Sequence, residues 1–206
     1  MPASTQPANQ PAPQTEAPAP VRRLRRAERR EQILTAATHA FARSGFAATS
    51  LDDIAAQAGI SRAILYRHFD SKTDLYRAVL DRACARLASA VGTRDFTADS
   101  VDALVGAAAE DPDGFRLLFR HAAREPEFRA EMDRFHNAMV TVARRELAAM
   151  IPDSSWARWA ARLAPTVAVE AVMAWLEAGQ PDRERAAQRI GLALDGIIKA
   201  AQPLTR

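Results

Sequence analysis

Around Ser61 the chain gathers groups suited to hydrogen bonding with a polyanion rather than to making or breaking covalent bonds. Arg62 carries a planar fork of N–H donors that can bond guanine O6 and N7 together, and Ala63 offers a methyl group to a thymine methyl. Ser61 is placed to cap a helix opening at Arg62, which puts both residues in its first turn. Upstream, Thr49 and Ser50 precede Leu51, and Asp53 follows Ser50 by three positions. That is an N-cap with an acidic first turn, and its hydroxyls and free N–H groups suit contacts to a phosphate backbone.

The residues between these two caps say how they are held. In LDDIAAQAGISRAILYRHFD (51–70), Ala55 is small where a second helix must approach. Gly59 sits where a sharp turn would make a Cβ costly. Ile54, Ala58, Ile60 and Leu65 are apolar where two steeply crossed helices would share a core. Together these features predict a helix-turn-helix with the Arg62 helix as its reading element.

Charge distribution agrees with a polyanionic partner. The net charge is only +3, but residues 21–80 hold 11 Arg or Lys against 6 Asp or Glu. The remainder of the chain is close to neutral, so the positive potential is focused on one region. A solvated basic face without a partner is the competing reading of charge alone. Arg22, Arg23, Arg25, Arg26, Arg29 and Arg30 form a basic run. It is either an arm for the minor groove or a source of unspecific phosphate attraction, the second being favoured because Arg29 and Arg30 fall within the first expected helix.

An apolar fraction of 48% with 26% charged residues fits an ordinary globular chain, and abundant Ala and Arg favour helix. A single cysteine, Cys84, excludes an intrachain disulfide and is expected to pack as a small buried residue. No apolar run is long enough for a membrane span and no secretory leader pattern is present, which makes the cytoplasm the expected location. Residues 1–21, rich in Pro and Ala, are expected to be a disordered tail. Helical periodicity and stop signals predict helices over 27–44, 51–58, 62–69, 71–91, 99–110, 114–123, 126–149, 154–179 and 182–201. With no strand pattern, the fold class is all-α, of about nine helices. The expected division is 22–70 for the helix-turn-helix domain and 71–206 for a ligand-binding and dimerisation domain.

The segment from Ile33 to Leu80 resembles the three-helix DNA-binding domain of the TetR family. The resemblance rests on Gly45-Phe46, Thr49-Ser50, Asp53-Ile54-Ala55, Ala58-Gly59-Ile60-Ser61, Leu65-Tyr66, His68-Phe69 and Ser71-Lys72 with Leu75. It implies that Tyr66 and Arg67 reach phosphates or bases and that Lys72 pairs with a phosphate. His68 is counted among the DNA-contact candidates as a base reader. Local readings stand beside these: Tyr66 packing on Phe69, Arg67 as a solvated helix residue, and His68 in packing or local hydrogen bonding, which for His68 is the favoured reading. The resemblance also implies a repressor that a small-molecule effector releases from its operator. An activator, or a DNA-binding protein without an effector, is the alternative.

The C-terminal two-thirds matches that family only in length and helical character. Apolar faces bearing Phe119, Phe128, Met132, Phe135 and Trp159 read first as core. The resemblance adds that they, with His136, could line an effector cavity. Val172, Trp175 and Leu176 on one helix and Ile190, Leu194 and Ile198 on the next form stripes. The resemblance implies a homodimer interface there, although the same stripes could be buried internally. A two-fold dimer would read a roughly palindromic operator in double-stranded DNA. There is no phosphate-binding glycine loop, no nucleophile–base set and no carboxylate pair in a cleft motif, so no enzyme activity, cofactor or catalytic residue is expected. His121 and His136 lack an acidic partner at metal-ligand spacing, and no metal is expected.

Overall fold

Alternating caps and glycine stops divide the N-terminal part into four helices. The computed structural model describes residues 25–92 and 98–203, without the side chains of residues 98 and 99. The tail expected over 1–21, together with Arg22 and Arg23, lies outside the described residues.

Helix α1 (Arg26–Ala48) buries Ile33, Leu34, Ala37, Ala40 and Phe41 along one face. Its regular part ends at Gly45, whose φ of +74° is the left-handed conformation a helix stop favours. A turn through Ala48 completes the element. Helix α2 (Leu51–Gln57) and helix α3 (Arg62–Tyr66) follow, separated by Gly59 at φ +63°. Both open on serine caps: Ser50 Oγ accepts from the Asp53 N–H at 3.0 Å and Ser61 Oγ from the Ile64 N–H at 3.4 Å.

Helix α3 stops at Tyr66 instead of running to Phe69. The His68 and Phe69 N–H groups both turn back to the Leu65 carbonyl, which carries Phe69 into the core at 2% exposure. Ser71 then caps α4 (Lys72–Val91), a 20-residue helix that packs on α1 and ends at Gly92, φ +76°. Arg82 ties the two helices together. Its guanidinium donates to Thr38 Oγ1 at 2.7 Å, Thr35 Oγ1 at 3.1 Å and the Leu34 carbonyl at 3.2 Å, and pairs with Glu31.

Beyond it, α5 (Ala98–Glu110), α6 (Pro112–Arg116), α7 (Arg129–Met150), α8 (Ser154–Glu177) and α9 (Arg183–Ala200) form a bundle. No strand occurs among the described residues. The helix expected over 114–123 begins earlier, because Asp111 caps the Gly114 N–H at 2.9 Å and Pro112 occupies the first turn, where a missing N–H costs nothing. It then widens into a π turn (Leu117–His121) and a 3-10 turn (Ala122–Arg124), which bury Leu117, Leu118 and Ala122 together. A 3-10 turn at Pro126–Phe128 takes the start of the helix expected from 126. The other boundaries differ from expectation by one or two residues, within ordinary end fraying.

Both parts of the chain share one continuous hydrophobic core. At their junction, Phe128 stacks against Tyr76 of α4 at 4.5 Å and Phe46 at 5.2 Å, while Phe41 meets Tyr76 edge-on at 4.8 Å. Burying a side chain such as Phe128 contributes roughly 1.5–3 kcal/mol. The Tyr76 hydroxyl, buried here without a hydrogen-bond partner, has its pKa raised by burial. His39 of α1 adds a polar tie to Asp113 of α6, Nδ1 to Oδ2 at 2.7 Å.

Candidate nucleic-acid interface

Helix α3 is short, and one buried residue anchors it. Leu65 is fully buried, whereas Ser61, Arg62, Ala63, Tyr66 and Arg67 are exposed. The periodicity therefore gives the helix one face for the core and a broad face for a ligand. Behind it, Ile54 and Ala55 of α2 and Phe69 supply the packing that holds α3 against the unit.

Arg62 opens that exposed face in the first turn of α3. Its Nη1 donates to Asp52 Oδ2 of α2 at 2.9 Å, and its Nη2 donates to Tyr66 Oη at 3.3 Å, with the guanidinium 5.5 Å from the Tyr66 ring centroid. The Tyr66 hydrogen bond and the Asp52 charge both favour the cation and raise its pKa. Tyr66 is thus 42% exposed and partnered by Arg62 rather than packed on Phe69. Ser50 is exposed and forms a reciprocal box: its N–H and hydroxyl donate to Asp53 Oδ2 at 3.3 and 2.6 Å. Those bonds hold the Asp53 carboxyl below the usual carboxylate range.

Three expected contact residues are placed differently. Thr49 is 4% exposed, and its hydroxyl donates inward to the Gly45 carbonyl at 2.7 Å, securing the turn after α1. Lys72 is half-buried; its Nζ donates to the Ala47 carbonyl at 3.1 Å and lies 4.6 Å from the Phe46 ring centroid. His68 is also half-buried, and burial, helped by the charges of Arg26, Arg29 and Arg30, lowers its pKa. Of the basic run, Arg26, Arg29 and Arg30 lie in α1, where Arg29 bonds Gln32 and Arg30 lies over Phe69 at 5.1 Å.

Sequence reading missed Asp52. An acidic residue just inside a helix start is explained by the dipole alone, and nothing in the sequence marks a reach to a residue ten positions on. It also missed Phe46 as the seat of Lys72.

Besides a cleft of about 460 Å³ between α4, α5 and α6, lined by Arg86, Leu87, Glu110, Phe115 and Leu118 among others, the bundle holds two smaller cavities. One, of about 140 Å³, is lined by Leu87 and Val91 of α4, Val101 and Leu104 of α5, Met139 of α7 and Val169 of α8. Leu118, Phe119, Met132, Phe135, His136 and Met139 are among the lining of a second, of about 170 Å³. Phe135 and Met139 belong to both walls. Two expected lining residues belong to neither. Phe128 is consumed in the junction core, and Trp159 is 40% exposed, meeting Trp156 edge-on at 5.6 Å.

The stripes assigned to dimerisation point inward. Val172, Trp175, Leu176, Ile190 and Leu194 are all at most 8% exposed in a single protomer, because α8 and α9 pack on each other and α9 packs on α5. The Trp175 indole N–H is satisfied by the Pro181 carbonyl at 2.7 Å. Only Ile198 lies at the edge, half-buried. Beside these stripes lie further apolar residues that are half-buried at the edge of the core, Leu163, Val167 and Ala171 on α8 and Ala187 and Gly191 on α9, next to the 70%-exposed Leu192. Half-buried Cys84 behaves as a packing residue, its thiol pushed up to about 11 by burial. No helix among the described residues is long and apolar enough to cross a membrane.

Residues 33–79 match the family described as bacterial regulatory proteins, tetR family. The chain is 38% identical over 119 residues to the HTH-type transcriptional activator FasR of Mycolicibacterium smegmatis, covering 53% of this chain and 54% of that protein. It is 32% identical over 123 residues to the nucleoid occlusion factor SlmA of Pasteurella multocida, 54% and 62% of the two chains. It thus spans little more than half the length of these curated relatives. In fold, it is similar to a TetR-like transcriptional regulator from Rhodococcus sp. RHA1, with a TM-score of 0.74 at 23% identity, over 86% of this chain and 97% of that one. Residues 33–79 are thus similar to the DNA-binding domain of tetR-family regulatory proteins, and the chain as a whole shares its fold with a TetR-like regulator.

Proposed function

We propose that this protein binds double-stranded DNA by inserting α3 into the major groove and regulates transcription from an operator. The observation that carries this reading is the exposed first turn of α3, with Arg62 projecting from a helix whose only buried residue is Leu65. Ser61, Arg62, Ala63, Tyr66 and Arg67 form the contact face, joined by Ser50 at the mouth of α2. Lys72 and Thr49 act from behind, fixing the turn over 45–48 on which α2 is set. Selecting bound sequences from random duplexes with the purified protein tests the reading. Recovery of a roughly palindromic site supports it, and recovery of no preferred sequence overturns it.

Two copies are required for such a site. We place their interface along the edge of α8 and α9 beside the buried stripes, around Leu163, Val167, Ala171, Ala187, Gly191 and Leu192, where small residues allow close approach. An effector seated in the 140 Å³ cavity would press on Leu87 and Val91 and so shift α4, the helix that carries the junction ring Tyr76 and packs on α1 of the trihelical unit. The lining is apolar apart from Ser100, which suits an uncharged ligand. By linkage, an effector that lowers operator affinity must itself be weakened by DNA to the same degree. The working division is then residues 22–70 for DNA and 71–206 for effector and dimer. Release by the effector from a site that blocks transcription by occupancy needs no further surface, and repression is the reading adopted.

A second reading is DNA binding without an effector. The 140 Å³ cavity favours it, being smaller than the roughly 300 Å³ at which ligand pockets begin, whereas the 460 Å³ cleft on the other side of Leu87 does not. Either way, a DNA target requires the compartment that holds DNA, in keeping with the cytoplasm.

A further inference from the structure

The Arg62–Asp52 contact needs an explanation that stability does not supply. Both side chains are more than half exposed, and an ion pair of this kind adds little to folding. Asp52 also stands on the surface proposed to meet phosphates, where a carboxylate opposes binding. Yet it is one of two groups that close on the same guanidinium from different directions. Asp52 reaches across from α2 to Nη1, and the Tyr66 hydroxyl takes Nη2 from one turn further along α3. The guanidinium carbon lies 5.5 Å from the Tyr66 ring centroid, within cation–π range. Two anchored nitrogens restrict the orientation of a planar group that otherwise rotates freely, and the guanidinium retains donors for a base.

We propose that Asp52 is a specificity-determining positioning residue. It holds the Arg62 fork in the orientation that selects guanine, raising discrimination among DNA sequences while lowering affinity for DNA in general. The inference rests on the DNA-binding reading above, and it predicts an effect of opposite sign on two measurable quantities.

The test uses full-length protein, the duplex recovered by selection, its three variants at the base pair governed by Arg62, and a scrambled duplex. Binding is followed by fluorescence anisotropy. Asp52→Ala should bind the scrambled duplex more tightly than the parent does. Its preference at the Arg62 base pair should fall by about tenfold, the loss of one well-aligned bidentate contact. Asp52→Asn, which keeps an acceptor oxygen, should retain more of that preference. Arg62→Ala should relax the same base pair, and adding Asp52→Ala to it should relax it no further.

If Asp52→Ala tightens all duplexes by one factor and leaves base preference unchanged, Asp52 is only a repelling charge and the proposal is overturned. Additive relaxation in the double variant overturns it as well. A parent protein without sequence preference defeats the DNA-binding reading itself, whereas a selective parent with unaltered Asp52 variants defeats this inference alone. Circular dichroism of each variant verifies the fold; the Ser50–Asp53 cap of α2 does not involve Asp52. Should Asp52→Ala lose helix, Asp52→Asn decides the matter.

Discussion

The trihelical unit and the bundle behind it use the same apolar residue types, yet their surfaces are organised by opposite rules. In α2 and α3, a few buried anchors (Ile54, Ala55, Leu65) leave most of each helix outside. In α8, eleven residues are buried and only one side is left over. A short helix held by one side chain is placed to present its polar residues, and a long helix packed on several neighbours is placed to fill space. The first arrangement yields an exposed polar surface, the one proposed above to meet DNA, and the second a space-filling scaffold. What a stripe of apolar residues means therefore depends on how many neighbours its helix has.

The sharpest way to break this contrast is at the junction. Phe128→Ala removes a fully buried ring shared by both regions and should cost about 3–5 kcal/mol in urea unfolding, with one cooperative transition. Two separate transitions would show that the regions fold independently despite their shared core. Next in size, Leu194→Ala should cost roughly 2–5 kcal/mol in stability through its inward packing. Val167→Glu with Leu192→Glu, at the edge beside the stripes, should instead convert dimer to monomer in sedimentation while leaving helix content unchanged. The reverse pattern would restore the inner stripes as the interface.

Smaller effects sharpen the reading surface itself. Arg62→Ala should relax one position per half-site at about 1–3 kcal/mol, measured by competition among duplexes. Lys72→Ala should lower stability by roughly 0.5–1 kcal/mol through the lost Phe46 contact, and weaken all DNA sequences alike. A loss confined to one sequence would make Lys72 a base reader.

The smallest effect is a pH dependence. His68 has its pKa lowered from 6.5 by burial and by Arg26, Arg29 and Arg30. The neutral ring's contribution to stability is complete above 6.5 and is lost as the pH falls through the lower folded value. His68→Gln should flatten acid-side unfolding between those two pKa values; an unchanged profile would remove His68 from the account.

Much of the unit could be read from particular letters. Gly45, Gly59 and Gly92 stop helices with positive φ, and Ser50, Ser61 and Ser71 cap the next ones, since both signals act within one turn. The exposure of Arg62, Ala63, Tyr66 and Arg67 follows from the position of Leu65 in a five-residue helix. Thr49 and Lys72 were polar residues in the right neighbourhood whose side chains fold back onto carbonyls, a direction that periodicity does not encode. In the bundle, Asp111-Pro112 was read as a break although a capped Asp before Pro equally opens a helix.

Local chemistry in the chain was enough to fix where helices begin, where they end and which of them carries the cationic fork, because caps, glycines and charge act over a few residues. Which way a symmetric-looking apolar stripe faces, which carboxylate meets that fork, and whether Phe128 lines a cavity or plugs a junction were settled only when distant helices packed. Those outcomes depend on neighbours far apart in the chain, and a helix cannot know from its own spacing what will come to lie against it.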